Sequence, residues 1–411
     1  MSLSTYTERF ERFAATLPAA EQQQRQAQFA RFLSSGFPTR ALEEWRYTDL
    51  STYADRDYSL GEALPSNVAS ECLADAERVV YVNGVLNTEL STTSRWHAAV
   101  DAPKTLRDGL IALNAAFARG GLNLQLPKNE RLAAPLQVLL VSRAESSAVM
   151  SHQCHRIELG ENAEATVLLQ FVGNGGERLA THVIDITLAA GAKLQLYRLQ
   201  DEGSGATLIT QVEVQQARGS QLRALTIDLG AAFVRHDFST DLAGPGADAE
   251  ISGLYAPRGT AHIDNHTRAV HSAPHCRSRS HYRGIIDERA RAVFNGKVLV
   301  QPDAQKTDSE QRIANLLLSR RAEVNAKPEL EIYADDVKCA HGATVGQLDE
   351  TALGYLRSRG IPQDAARALL LRAFAVEILD RITWPALAAR VAAGMNLPSE
   401  MPLASLDEVM A

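Results

Sequence analysis

Four turns in the middle of the chain share one pattern: GENAEATV, AGAKLQLY, RGSQLRAL and PGADAEIS. Aligned on Asn162, Gly191, Gly219 and Gly246, they recur at 29, 28 and 27 residues, each followed by a small residue, a polar one and then Ala or Leu. Short runs rich in β-branched residues and Leu lie between them, at Gln137 to Ser142, Ala165 to Val172, His182 to Leu188, Lys193 to Leu199 and Thr207 to Val214. A fixed period in this range marks a solenoid, because one coil cannot bury its apolar side alone and must stack on the last. Turns of a β-sandwich recur every ~8–12 residues, so a stack of hairpins fits less well. The period is hard to follow after Leu254, although strand-like runs continue at Ala292 to Val300, Ala314 to Leu318 and Leu330 to Tyr333. The expected chain is mainly β. A parallel β-helix core over 131–346 lies between an N-terminal helical and α/β region, 1–130, and a C-terminal helical domain, 347–411.

The flanks support that division. Phe10, Phe13 and Leu17, then Phe29, Phe32 and Leu33, repeat at helical spacing and predict two helices broken near Pro18 and Gly36-Phe37-Pro38. RVVYVNGVLN, Arg78 to Asn87, predicts a strand, an Asn-Gly turn and a second strand. Helical periodicity returns from Leu106 to Phe117. After Gln347 two helices are expected, about Leu348 to Ser358 and Gln363 to Ile382, around a Gly360-Ile361-Pro362 turn. Leu353, Leu356, Leu369, Phe374, Val376 and Leu379 give that hairpin more apolar surface than it needs alone, so part should pack on the body or on another protein.

Several classes are disfavoured. The longest apolar stretches, such as Val138 to Val141 and Ala368 to Leu371, fall far short of the ~20 residues that cross a bilayer. MSLSTYTERFERF has no apolar core of a secretory signal, so a cytoplasmic chain and no membrane partner are expected. With 42 Lys plus Arg against 49 Asp plus Glu, a net charge of −7 disfavours nucleic acid. GxxxxGK[ST], a strand-to-helix GxGxxG, GxSxG and HExxH are all missing, so no nucleotide site is expected in this chain. An enzyme built on a β-helix, such as a polysaccharide lyase, would line a groove with aromatics, and these make up only 6% of the chain.

Three groups of residues could carry chemistry. His262, His266, His271, His275 and His281, with Cys276 among them, leave two readings open, ordinary buried or surface imidazoles and a metal site. Arg268, Arg277, Arg279, Arg283, Arg289 and Arg291 overlap them; ion pairs within the fold or at an interface suit them better than nucleic acid, since few aromatics are interleaved. ADDVKCAHGATVG places Cys339 and His341 two apart, which on an extended segment points both side chains to one face. They would supply half of a tetrahedral metal site, so a partner chain would have to complete it. The four cysteines, Cys72, Cys154, Cys276 and Cys339, form no CxxC pair and are expected as free thiols.

HSAPHCRSRSHYRGIIDERARAVFNGKVLVQPDAQKTDSEQ, NLLLS, KPELEIYADDVKCAHGATVGQLDE and YLRSRGI closely resemble the SufD branch of the SufB/SufD family of SUF iron-sulfur cluster assembly. EEWRYTDL and LNAAFARGG add weaker support. The resemblance implies a right-handed parallel β-helix, a non-catalytic scaffold, pairing with SufB through the β-helices, and a C-terminal helical domain that docks the ATPase SufC. Nucleotide hydrolysis would then belong to SufC, and Leu353, Leu356, Leu369 and Phe374 would be candidates for the docking helices. It further implies that His341, and less directly Cys339, with Asp335 and Asp336 nearby, face a transient iron-sulfur cluster at the SufB interface. No cofactor is expected on the chain alone, and a homodimer is conceivable when it is isolated. A SufB-like, sulfur-accepting subunit is the alternative, but it would be longer and carry more cysteines.

Overall fold

A computed structural model describes residues 3–395, other than 65, 99–102, 104, 106 and 146. Successive strands of its middle enter two sheets alternately. One sheet contains Val149–Leu159, Arg178–Leu188, Ala206–Gln216, Phe233–Leu242, His262–His271, Arg291–Val300 and Glu323–Ile332; the other contains Leu136–Ala144, Glu164–Gly175, Lys193–Glu202, Gln221–Asp228, Asp248–Tyr255, Arg277–Ile286, Asp308–Leu317 and Lys338–Gly346. Neighbours within each of these runs are parallel, so each coil of a β-solenoid gives one strand to each sheet. The register repeats the sequence period: Glu164 lies beside Lys193, Lys193 beside Gln221 and Gln221 beside Asp248.

The aligned turns are one corner of the solenoid. Asn162, Gly191, Gly219 and Gly246 have φ of 56°, 69°, 65° and 73°, a left-handed conformation that Gly adopts freely and Asn tolerates. Each donates its backbone N–H to a carbonyl of the next coil, on Ala190, Arg218, Pro245 and Pro274. The corner persists at His275 and Lys306, with φ of 60° and 62° and bonds to the carbonyls of Gln305 and Asp336. The period was lost from view after Leu254 because these two side chains replace glycine, while the register steps lengthen from Asp248 to Arg277, Asp308 and Lys338. The small residue after each corner, Ala163, Ala192, Ser220, Ala247, Cys276 or Thr307, is buried.

Alternation along each strand makes continuous inner rows. One runs Ala165, Leu194, Leu222, Ala249, Ser278, Ser309 and Cys339; its neighbour runs Val167, Leu196, Ala224, Ile251, Ser280, Gln311 and His341. Both are apolar through the first coils and turn polar towards the C-terminal end. Each Leu buried in such a row contributes about 1.5–3 kcal/mol.

Helices cover parts of the outside. The expected N-terminal pair is present as α1 (Leu3–Ala14) and α2 (Ala19–Ser35), followed by the single turn α3 (Ser51–Ala54) and by α4 (Gly109–Phe117), which Asp108 caps through the N–H groups of Leu110 and Ile111. Leu106, where α4 was expected to begin, lies outside the described residues. Phe10 stacks on Phe29 at 4.2 Å and meets Phe117 edge-on at 5.6 Å; this aromatic cluster sits on outward-facing Met150, Leu179, Ile209 and Phe233. Glu77–Val82 and Val85–Leu86 form the expected hairpin across Asn83-Gly84, and the first of them also joins the solenoid, parallel to Leu136–Ala144.

The C-terminal pair is α5 (Glu350–Ser358) and α6 (Gln363–Leu379). A third helix, α7 (Pro385–Gly394), was not anticipated: the stretch read as running to Ile382 ends at Leu379, and Pro385 starts a new helix. Residues 396–411 of the expected helical domain lie outside the described residues. Ala375 and Ile378 of α6 and Leu387 and Val391 of α7 cover an apolar outer stripe of Leu168, Tyr197, Leu225 and Leu254. Among the described residues, no helix is long and apolar enough to cross a membrane.

Candidate interfacial metal site

The solenoid's last described coil, strands Glu323–Ile332 and Lys338–Gly346, has a neighbouring strand on one side only. Its inner side is therefore partly open: Ile332 is 39% exposed and Val345 54%, and Tyr333 beside them 63%. Cys339 stands in register with Ser309, and His341 with Gln311. Both thus continue inner rows and share a face, as their spacing predicted. Cys339 is half-buried and His341 exposed. Burial, and to a smaller degree Asp308, push the Cys339 thiol up, against the Ser309 backbone N–H, which favours the thiolate. As a ligand, this thiol would have to give up a proton on binding.

The residues around the pair are committed elsewhere. Asp336 forms an ion pair with Lys306, and its carbonyl accepts the Lys306 N–H, so it belongs to the corner. Asp335 is exposed on the same turn. Among the described residues, no group of three or more His, Cys, Asp or Glu is gathered as a metal site. A metal held by Cys339 and His341 would need further donors from elsewhere.

The histidines upstream are spread over both sheets and both faces. His271 bonds Ser278 at 2.8 Å inside the solenoid. His266 lies on the outer face between Asp264, at 2.9 Å, and Glu44, at 3.2 Å, and His262 lies 3.4 Å from the Thr48 hydroxyl. His275 is an exposed corner, and His281 accepts from Arg381 at 2.7 Å. Cys276, the small residue of its corner, points at the Gly244 carbonyl, 3.3 Å away. Four of the clustered arginines form ion pairs within the fold: Arg277 with Asp248, Arg279 with Asp308, Arg283 with Glu377 and Arg291 with Glu323.

Leu353, Leu356 and Leu369, expected as docking side chains, are buried; the first two form the inside of the hairpin with Ala366. Phe374 lies under the Arg283 guanidinium, at 4.7 Å, against the body. Apolar side chains within reach of the chain's own core pack there first, because burial is non-directional. A partner reaching the hairpin would meet Tyr355, Arg357, Arg359 and Asp364, which are exposed.

A second constellation had only the motif EEWRYTDL as its signal. Arg235, buried on the outer face, forms two bonds to Asp237 and one to Asp264, each 2.7–2.8 Å, and donates to the Glu44 carbonyl at 2.9 Å. Its guanidinium also lies over the Trp45 ring at 4.4 Å, and Thr48 donates to Asp264. Burial alone would raise the Asp264 carboxyl, yet Arg235 and His266 hold it well below the usual range. The His266 hydrogen bond brings Glu44 down to about 2. Burial and Arg235 oppose protonation of His266, but Asp264 and Glu44 at its two nitrogens raise it above the ordinary value. This network ties the N-terminal segment to the solenoid, and every charge in it is partnered.

The fold is a parallel β-solenoid whose last described coil carries Cys339 and His341 on one face. The profile described as "SUF system FeS cluster assembly, SufBD core domain" matches residues 141–374, and that of the "SufBD protein N-terminal region" matches residues 2–71. The chain belongs to the SufBD family. It is 33% identical over 392 residues to the iron-sulfur cluster assembly protein SufD of Escherichia coli (strain K12), covering 91% of this chain and 93% of that protein. It is 25% identical over 354 residues to the SufD protein of Bacillus subtilis (strain 168), covering 84% and 78%. Protein ABCI7, chloroplastic, of Arabidopsis thaliana is 32% identical over 224 residues, covering 54% and 47%.

Proposed function

We propose that this SufBD family protein is a non-catalytic, cytoplasmic scaffold of iron-sulfur cluster assembly that pairs through its terminal coil with a SufB-type solenoid and receives a SufC-type ATPase on its C-terminal hairpin. The observation that carries the pairing is the open inner row, where Cys339 is half-buried and His341 and Val345 are exposed. A second solenoid stacked there would continue both sheets and remove exposed edges that otherwise invite unspecific strand pairing. The cluster is cargo. The exposed His341 imidazole offers iron a neutral nitrogen ligand, while Cys339 would add a soft thiolate after losing its proton. The partner's donors would close the site, and stacked coils would shield it from water.

The ATPase surface would be α5 and the first half of α6, with the second half of α6 and α7 held on the solenoid by Arg283 with Glu377, Arg381 with Glu250, and Arg390 with Glu71 and Asp201. Co-expression of the chain with a SufB-type and a SufC-type subunit should yield one complex on a single affinity tag, and failure of the three to co-purify would sink the proposal. In that complex, His341→Ala should lower cluster retention, read by visible absorbance and iron content, without dissociating the subunits.

A further inference from the structure

Not every inner position of the solenoid is apolar. Arg198 and Asp228 point inward further along the strands of Leu194 and Leu222 and are 4% and 0% exposed. Arg198 gives Nη1 to the Asp228 carboxylate, while its buried Nε and Nη2 have no partner. Opposite them, the first sheet contributes Thr210 and His236, 2.6 Å apart, and Thr226 lies 3.4 Å from His236 Nε2. These four residues, Arg198, Thr210, Thr226 and His236, are the polar lining of a small cavity of about 10 Å³, whose other walls include Leu169, Phe171 and Phe238. Further unpartnered atoms face the same interior, Asp228 Oδ2 and both polar atoms of Asn265, and the Tyr282 hydroxyl is hydrogen-bonded to Thr226.

A guanidinium nitrogen left without an acceptor in a dry core keeps its desolvation cost uncompensated, and Arg198 has two of them. We propose that the cavity is a built site for one internal water molecule, which accepts from Arg198 and donates to Thr226 Oγ1. Its size suits a single water, the ligand that fills polar cavities of this order and makes two to four hydrogen bonds in them. A halide is excluded on two grounds. It is larger than the space, and Asp228 already neutralises the guanidinium; burial first, and then Arg198 and Arg235, hold His236 far below its ordinary value, so the site has no net positive charge. The water would give the buried guanidinium an acceptor beyond Asp228, and it does not depend on the proposed partners.

The test is a crystal structure of the full native chain at about 1.5 Å, with a second crystal soaked in sodium bromide. The expected result is one ordered peak within ~2.7–3.2 Å of Arg198 Nε or Nη2 and of Thr226 Oγ1, with no anomalous bromide signal. An empty cavity overturns the proposal, and so does bromide inside it. Crystals of Thr226→Val, which keeps the shape and removes the acceptor, should lose the peak; a peak of unchanged position and occupancy would also overturn it.

Discussion

Leu222 and Cys339 occupy the same inner row, four coils apart, yet one is sealed and the other half-open. Through the middle of the solenoid each inner side chain has a coil above and a coil below. At the last described coil one of those neighbours is missing, and Ile332 and Val345, residues suited to a core, are left exposed. Position in a repeat decides which way a side chain points. Whether it is buried depends on the presence of the next coil.

The sharpest way to break this contrast is a matched pair of truncations. Leu222→Ala should cost about 2–5 kcal/mol, the range for emptying a packed core, while Val345→Ala should leave urea unfolding of the isolated chain nearly unchanged. Equal losses would mean that the terminal coil is covered after all. Val345→Ala should matter only in assembly, by weakening capture of the SufB-type subunit.

A glycine pair contrasts a packed inner position with an open outer one. A methyl group on Gly253 would stand 2.2 Å from the Tyr282 ring, whereas one on Gly342, in the last strand, meets nothing within 4 Å. Gly253→Ala should therefore lower stability by about 1–3 kcal/mol, and Gly342→Ala should fall within about 0.5 kcal/mol of the native chain. A tolerated Gly253→Ala would show that the middle is loosely packed.

Next in size is the pH dependence of the N-terminal attachment. Asp264 and Glu44 are lowered in the folded chain, so their contribution is present above the ordinary carboxylate range and is lost as pH falls through their folded values. His266 is raised, so its contribution is complete below the ordinary histidine value of about 6.5 and fades as pH rises through its folded value. Protection of the amides of residues 42–50, relative to their intrinsic exchange at each pH, should therefore be greatest at mildly acid to neutral pH and fall on both sides. His266→Gln should flatten the alkaline limb, and an unaltered limb would remove His266 from the latch. The smallest effect on the isolated chain is expected of His341→Ala: no measurable change of Tm, because the ring is exposed.

Much of this was legible in the sequence. The turns at Asn162, Gly191, Gly219 and Gly246 announced the corner and the period, and Pro18, Gly36 and Pro362 bounded helices. The repeat faded at His275 and Lys306, because a left-handed backbone there is held by the bonds to Gln305 and Asp336 of the next coil and not by glycine. The spacing of Cys339 and His341 foretold their shared face, since strand alternation is local. It was silent on their unequal exposure. The hairpin leucines looked like surplus surface because helical periodicity shows that a face is apolar without showing what covers it.

By itself, the sequence determined the coil: its length, its left-handed corner, the inward or outward direction of each side chain, and helices at both ends. These follow from backbone sterics and alternation, which act over a few residues. The tertiary structure decided which inner residues are sealed, which histidines bond inside and which outside, that Arg235 closes on Trp45, and that Arg198 stands beside Thr226 with His236 on the opposite sheet. Those outcomes depend on stacking residues some 30 to 200 positions apart in the chain, and no local pattern encodes the distance between them.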